Sequence, residues 1–231
     1  MSTEQVMAVL AESVLFKDVG DNALRLLAER AGSAGYKKGQ LIFQEGDQAE
    51  SLFVVIEGTV KITVMSPDGE QMVLTTLGPH DTFGELALLD GRPRSATAEV
   101  LKDTRALAIT REAFLTVLEK DRRLVEAVFS TLGELLRRLT QRAADFVFLD
   151  LHGRVAKLLI DMSERRGEAK GTDVTLDLQL TQSDLAAMVG GSRQSVNQIL
   201  RAFEERGYIE ITGRHLVIKR LAALRRRAGF S

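Results

Sequence analysis

The chain has 231 residues and contains neither cysteine nor tryptophan. Without a thiol there is no thiolate nucleophile, disulfide scaffold, thiolate-bound zinc or cysteine-held iron–sulfur cluster, and redox chemistry leaves the compartment unmarked. Histidine is nearly as scarce. His80, His152 and His215 lie far apart with no His-x-His pairing, which argues against the clustered imidazoles of a cupin-type metalloenzyme, so no metal is expected. No stretch approaches the roughly 18 apolar residues of a membrane span. The N-terminal MSTEQVMAVLAESVLF lacks the basic lead and long apolar core of a secretory leader, so the expectation is a cytoplasmic protein with no membrane partner. There is also no P-loop, dinucleotide fingerprint or serine nucleophile elbow, and no catalysis is expected.

What is present is an ordinary globular composition, 45% hydrophobic, enough for one large domain or two small ones. The net charge of −1 conceals an asymmetry. Residues 1–100 carry 8 basic and 15 acidic side chains, residues 101–180 carry 14 and 13, and residues 181–231 carry 9 and 4. A basic C-terminal fifth suits a polyanionic partner, nucleic acid being the common case; a solvated tail is the plain alternative.

Periodicity divides the chain into three regimes. Residues 1–35 have helical spacing (Val6, Leu10, Leu24, Leu27, Ala31) interrupted at Gly20 and ended by Gly32 and Gly35. From Gln40 to Ile109, apolar runs at Leu52–Ile56, Val60–Met65, Met72–Leu77, Ala96–Val100 and Arg105–Ile109 alternate with turns such as Pro67-Asp68-Gly69. These predict an antiparallel barrel or roll, although a sandwich produces the same signal. From Arg111 to Phe148 a long helix is expected, with Val125, Val128, Leu132, Leu135, Leu139 and Phe146 at seam spacing and Arg142 where an apolar residue is due. Such a seam either faces a second helix, as in a dimer, or covers the chain's own sheet. Beyond it come a helix at Gly153–Arg166, a link at Gly167–Asp173 and a strand at Val174–Leu178.

Two segments carry legible chemistry. In the first, FGELALLDGRPRSATA (Phe83 to Ala98), Gly84 permits close backbone approach, Glu85 offers an acceptor for a ribose hydroxyl, Arg94 a fork for a phosphate and Ser95 a hydroxyl. An internal Glu85–Arg94 salt bridge fits the same residues. In the second, Thr181 and Asp184 form a capping box for a helix that Gly190-Gly191 stops, and Ser192 caps another whose apolar face is Val196, Ile199, Leu200 and Phe203. Arg193, Gln194, Asn197 and Gln198 are left on the polar side, where arginine can bond a guanine edge and an amide an adenine edge. A plain αα-hairpin has the same outline. Tyr208–Ile211 and His215–Ile218 around Thr212-Gly213-Arg214 then predict a hairpin, which would serve as a wing.

The FGELALL-DG-RPRSATA segment resembles the phosphate-binding cassette of cyclic-nucleotide-binding domains, and SRQSVNQIL resembles the recognition helix of the CRP/FNR family of bacterial regulators. With FLDLHGRVAKLL between them, the resemblance covers nearly the whole chain. It implies an α+β fold: a cyclic-nucleotide-binding β-roll (1–120), a dimerisation helix and hinge (121–150) and a winged helix-turn-helix (151–231). It further implies a cyclic AMP effector, with cyclic GMP left open, double-stranded DNA and RNA polymerase as partners, and a homodimer. The ligand residues implied are Gly84, Glu85, Leu86, Ala87, Arg94 and Ser95, with Thr140 and Gln141 toward the base. Leu139 stands where the family has a polar base reader. The DNA residues implied are Thr181, Ser192, Arg193, Gln194, Ser195, Asn197, Gln198 and Arg214, joined by His152. Gln194 and Gln198 replace the glutamate and second arginine common in the family. The remaining alternatives are a same-family regulator that needs no nucleotide or senses another effector, and an interaction module whose winged helix binds protein.

Overall fold

The computed structural model describes residues 1–171 and 173–229. The chain divides into two compact units, Met1–Arg137 and Arg138–Ser231.

The first unit begins with α1 (Thr3–Glu12), capped by a Ser2–Gln5 capping box, and α2 (Asp21–Arg30). Ala31 does not extend α2. It opens strand β1 (Ala31–Tyr36), whose glycines and alanines show no strand pattern of their own but pair from Ala31↔Ile109 to Tyr36↔Thr104. The sheet partner overrides the weak local preference. Then follow β2 (Leu41–Phe43), β3 (Ser51–Met65), β4 (Gln71–Leu77), β5 (Thr82–Phe83), α3 (Leu86–Asp90), β6 (Thr97–Thr110), α4 (Arg111–Lys120) and α5 (Arg122–Phe148).

Among the described residues six strands form one antiparallel sheet with path β1-β6-β3-β4, β2 joining β6 and β5 joining β3. The two expected runs 52–56 and 60–65 are one bent strand, as are 96–100 and 105–109. Register shifts between Val55 and Val60 bend β3. Because side chains alternate, the shift changes which parity faces inward. Phe53 and Val55 enter a small core with Val60, Phe83 and Ala98. Leu52 and Val54 face the larger core, which also takes Leu10 of α1, Phe16 of the turn between α1 and α2, Leu27 of α2 and Phe114 of α4.

The helix expected over 111–148 is two helices. Asp121 separates them: its carboxylate accepts the Gly20 N–H at 3.1 Å and the Arg123 guanidinium at 3.2 Å. These contacts hold the carboxyl below its usual range, Arg123 contributing most. The expected seam also divides: Val128 is buried in the unit's own core and Leu132 packs against it, whereas Leu139 is exposed. Leu124, outside the seam spacing, joins the core, and Phe129 (70%) and Leu136 (66%), also outside it, are exposed. One side of α5 thus covers its own core while another presents apolar residues outward.

The second unit continues α5 and adds α6 (Leu151–Arg166), β7 (Glu168–Lys170), β8 (Asp173–Asp177), α7 (Gln182–Val189), α8 (Arg193–Glu205), β9 (Ile209–Thr212), β10 (His215–Ile218) and α9 (Leu221–Arg227). Its sheet runs β7-β8-β10-β9. The expected 167–173 link therefore contains a short strand, whose polar sequence is paired by register with β8; Thr172 of that link lies outside the described residues. Arg142, off-pattern in the seam, is half-buried near Asp161 and Arg165 of α6. Burial lowers its pKa and raises that of Asp161, each in part opposed by neighbours of opposite sign.

Candidate functional site

The first unit gathers Gly84, Glu85, Leu86, Ala87, Arg94 and Ser95 on the short path from β5 through α3 to β6. Arg94 is only 5% exposed. Its Nη1 donates to the Gly84 carbonyl at 2.7 Å and its Nη2 to the Ser51 carbonyl at 2.5 Å. Its guanidinium carbon lies 4.1 Å from the centroid of Phe43 and 5.7 Å from that of Phe53. Phe53 and Phe83 stack at 5.3 Å, and Phe43 lies within 6 Å of both. The cation therefore sits against an aromatic cluster drawn from three strands.

Burial lowers the Arg94 pKa, while Asp47 and Glu85 pull it back up. A guanidinium stays charged under such a shift, so a full positive charge is stored in a poorly hydrated place. Its buried Nε has no acceptor. An unpaired buried donor is costly, and an anionic oxygen would supply what it lacks. Gly84 is needed here for its backbone as well as its size. It has φ +81°, and a Cβ would fall 2.6 Å from Arg94 Nη1. Ala87 is buried and Ser95 exposed. The backbone of Arg94 is clamped to the β2–β3 loop, its N–H to Asp47 O and its carbonyl to Gly46 N–H. Phe43, Ser51 and Phe53 carry no signal in the sequence, because they lie on β2 and β3, far along the chain from the Phe83–Ala98 segment.

Thr140 and Gln141 lie on α5 in the second unit, both exposed. Gln141 Nε2 donates to Asp145 Oδ1 one turn on, at 3.0 Å.

In the same unit α7 and α8 form the expected helix pair. Thr181 Oγ1 donates to Asp184 Oδ2 at 2.7 Å while Asp184 Oδ2 accepts the Thr181 N–H at 2.9 Å, so this hydroxyl is already engaged in capping α7. Gly190 ends α7 in the left-handed conformation, and a Cβ there would meet the Phe146 ring at 2.5 Å. Ser192 caps α8 through the Ser195 N–H at 3.0 Å, with the two hydroxyls 2.8 Å apart. Val196, Ile199, Leu200 and Phe203 are buried, which is worth roughly 1.5–3 kcal/mol each and fixes which face looks outward. That face carries Arg193, Gln194, Asn197, Gln198 and, in addition, Arg201, around an open concavity of about 510 Å³. Arg201 continues the i, i+4, i+8 row from Arg193 and Asn197, a periodicity visible in the sequence. Asn197 Oδ1 is buried without a partner. Arg214 is exposed at the β9–β10 turn. His152 packs its ring edge-on to Phe203 at 6.5 Å.

Among the described residues no helix is long and apolar enough to cross a membrane. No group of three or more acidic or imidazole side chains among them could hold a metal.

Two stretches of the chain match known domain families. Residues 35–121 match the cyclic nucleotide-binding domain model and residues 153–227 the Crp-like helix-turn-helix domain model. A CRP-like cAMP-activated global transcriptional regulator of Mycobacterium tuberculosis is 34% identical over 95% of this chain and 98% of its own length. Similar solved structures include FixK2 from Bradyrhizobium japonicum, with TM-score 0.77, 22% identity and coverage of 85% of this chain and 96% of that one. The global regulator CLP of Xanthomonas campestris, described as c-di-GMP responsive, has TM-score 0.74 and 22% identity, covering 86% and 99%.

Proposed function

The chain belongs to the CRP/FNR family of DNA-binding transcriptional regulators, not enzymes, and we propose that it is a cytoplasmic homodimer in which cyclic AMP raises affinity for palindromic DNA. In this reading residues 1–120 hold the nucleotide, 121–150 dimerise and hinge, 151–231 read DNA, and RNA polymerase is the further partner. The observation that carries the nucleotide part is Arg94: a buried cation beside Gly84 with a donor lacking an acceptor. Arg94 and Ser95 would hold the cyclic phosphate, Glu85 the ribose 2′-hydroxyl, and Gly84, Leu86 and Ala87 the backbone close to the sugar. Thr140 and Gln141 would address the base. For the ligand to act, it must bind the DNA-competent arrangement more tightly, typically by about 1–3 kcal/mol. Titration of DNA with and without cyclic AMP tests this; equal affinities would refute the nucleotide response.

Leu139 supports a second reading, a regulator of the same family with another effector or none, since its side chain cannot hydrogen-bond a base. The c-di-GMP-responsive fold neighbour has the same architecture. Calorimetry with cyclic AMP, cyclic GMP and AMP separates the readings.

The outward apolar row on α5 supports the dimer. Leu136→Asp is expected to produce a monomer in sedimentation and to lower DNA affinity about tenfold, because a carboxylate would be desolvated at a two-fold contact. A dimer persisting at micromolar concentration would overturn the seam.

Gln194 and Gln198 each present a donor and an acceptor, the pattern an adenine edge complements. Selection of binding sites from random DNA is expected to return at least one A·T preference where the cyclic AMP receptor protein reads G·C. An unchanged family half-site would contradict it.

A further inference from the structure

The basic residues of the C-terminal fifth are not all available to DNA. Arg225 Nη2 pairs with Glu164 Oε1 of α6 at 3.1 Å, and Arg227 Nη2 with Asp150 Oδ2 at 2.5 Å. Helix α9 lies along α6 with Ala223 and Leu224 buried, and Ala228 just beyond it is buried too. The approach is close, since a Cβ on Gly153 would come 3.3 Å from the Arg227 carbonyl oxygen.

Asp150 occupies a particular position. Only Leu149 and Asp150 separate α5 from α6, so any change in the direction in which α6 leaves α5 must pass through their dihedral angles. Asp150 is the N-cap of α6, and its other oxygen, Oδ1, accepts the Gly153 N–H at 2.8 Å. Arg154 secures the neighbouring residue: Nη1 donates to the Leu149 carbonyl at 2.9 Å, Nε donates to the Val189 carbonyl at 2.8 Å, and the guanidinium lies over Phe146 at 4.9 Å. Arg227 is the largest cause of the lowered Asp150 pKa, ahead of the cap itself.

We propose that Arg227 is a positioning residue for DNA binding: by holding the Asp150 cap it fixes the α5–α6 link, and with it the direction of the helix pair that carries Arg193. The pair is solvent-accessible, so its contribution to overall stability is small. Its effect is local, on a two-residue link that Arg154 secures at Leu149 and Arg227 secures at Asp150. The inference rests on the DNA-binding reading and predicts that Arg227 acts without touching DNA.

The test uses the full chain and its Arg227→Ala, Arg227→Lys, Asp150→Asn and Arg227→Ala/Asp150→Asn variants. DNA affinity is measured across a salt series, with and without cyclic AMP, beside a thermal melt. Arg227→Ala is expected to weaken DNA binding about threefold to tenfold with little change in melting midpoint, and lysine to restore part of the loss. Asp150→Asn should match that loss, and the double variant should add nothing further. The slope of log K against log salt should not change. A slope reduced by about 0.9 or more would mean a direct phosphate contact, and unchanged affinity would mean an idle surface pair; either overturns the proposal. Should the unaltered chain bind no DNA, the underlying reading fails instead. Hydrogen exchange at the Gly153 and Arg154 amides then decides: about tenfold faster exchange in Arg227→Ala supports the clamp, and no change overturns it.

Discussion

Replacing Arg94 by glutamine is expected to reduce cyclic AMP affinity by roughly 10²-fold to 10⁴-fold and to remove the nucleotide's effect on DNA binding, since two charge-assisted hydrogen bonds at about 1.5–3 kcal/mol each are lost. The packing around Arg94 adds a second effect. Its guanidinium serves the Gly84 and Ser51 carbonyls and lies against Phe43, so a shorter neutral side chain leaves at least one carbonyl unserved. A buried unsatisfied acceptor costs about 1–3 kcal/mol, and the melting midpoint should fall by several degrees. Calorimetry and a thermal melt on one preparation separate the two effects. Ser95→Ala is the control, because Ser95 is exposed and its removal should weaken the nucleotide without moving the melt. Full nucleotide response in Arg94→Gln would show that the phosphate is held elsewhere.

Arg94 also marks the boundary between what the sequence makes legible and what it hides. The residues from Gly84 to Ser95 are contiguous, so a turn, an acceptor and a cation can be recognised together. Phe43, Phe53 and Phe83, against which the cation rests, meet only because β2, β3 and β5 come together in the sheet, and nothing local in the chain announces that. The same holds for the elements. α8 is readable because its apolar face repeats at helical spacing and its cap is one serine. β1 is not, since Ala-Gly-Ser-Ala-Gly-Tyr acquires strand geometry only from its pairing with β6. The break at Asp121 depends on an N–H about a hundred residues away, at Gly20. Arg225 and Arg227 count toward a basic reading head in any tally of charge. Only folded contacts show that both are turned onto acidic partners in α6 and its cap.

The largest loss on the DNA side is expected from Arg193→Ala. Arg193 opens α8, directly after the Ser192 cap, where a helix entering the major groove brings its first turn closest to the base edges. A bidentate arginine–guanine contact contributes about 1–3 kcal/mol of discrimination. A palindromic site read by a dimer uses the contact twice, so the combined loss is about 2–6 kcal/mol, or roughly 30-fold to more than 10⁴-fold in affinity. Specificity should relax at one position of each half-site and nowhere else. Arg214→Ala supplies the contrast: at the exposed wing turn it should weaken all sequences alike and lower the salt slope by about 0.9 per subunit. The fold is expected to survive both changes, because Val196, Ile199, Leu200 and Phe203 hold α8 from its other face. The decisive comparison is a set of half-site variants titrated against both proteins at fixed salt. If Arg193→Ala weakened every variant equally, Arg193 would be a backbone contact, and base reading would pass to Gln194, Gln198 and Arg201 farther along the same face.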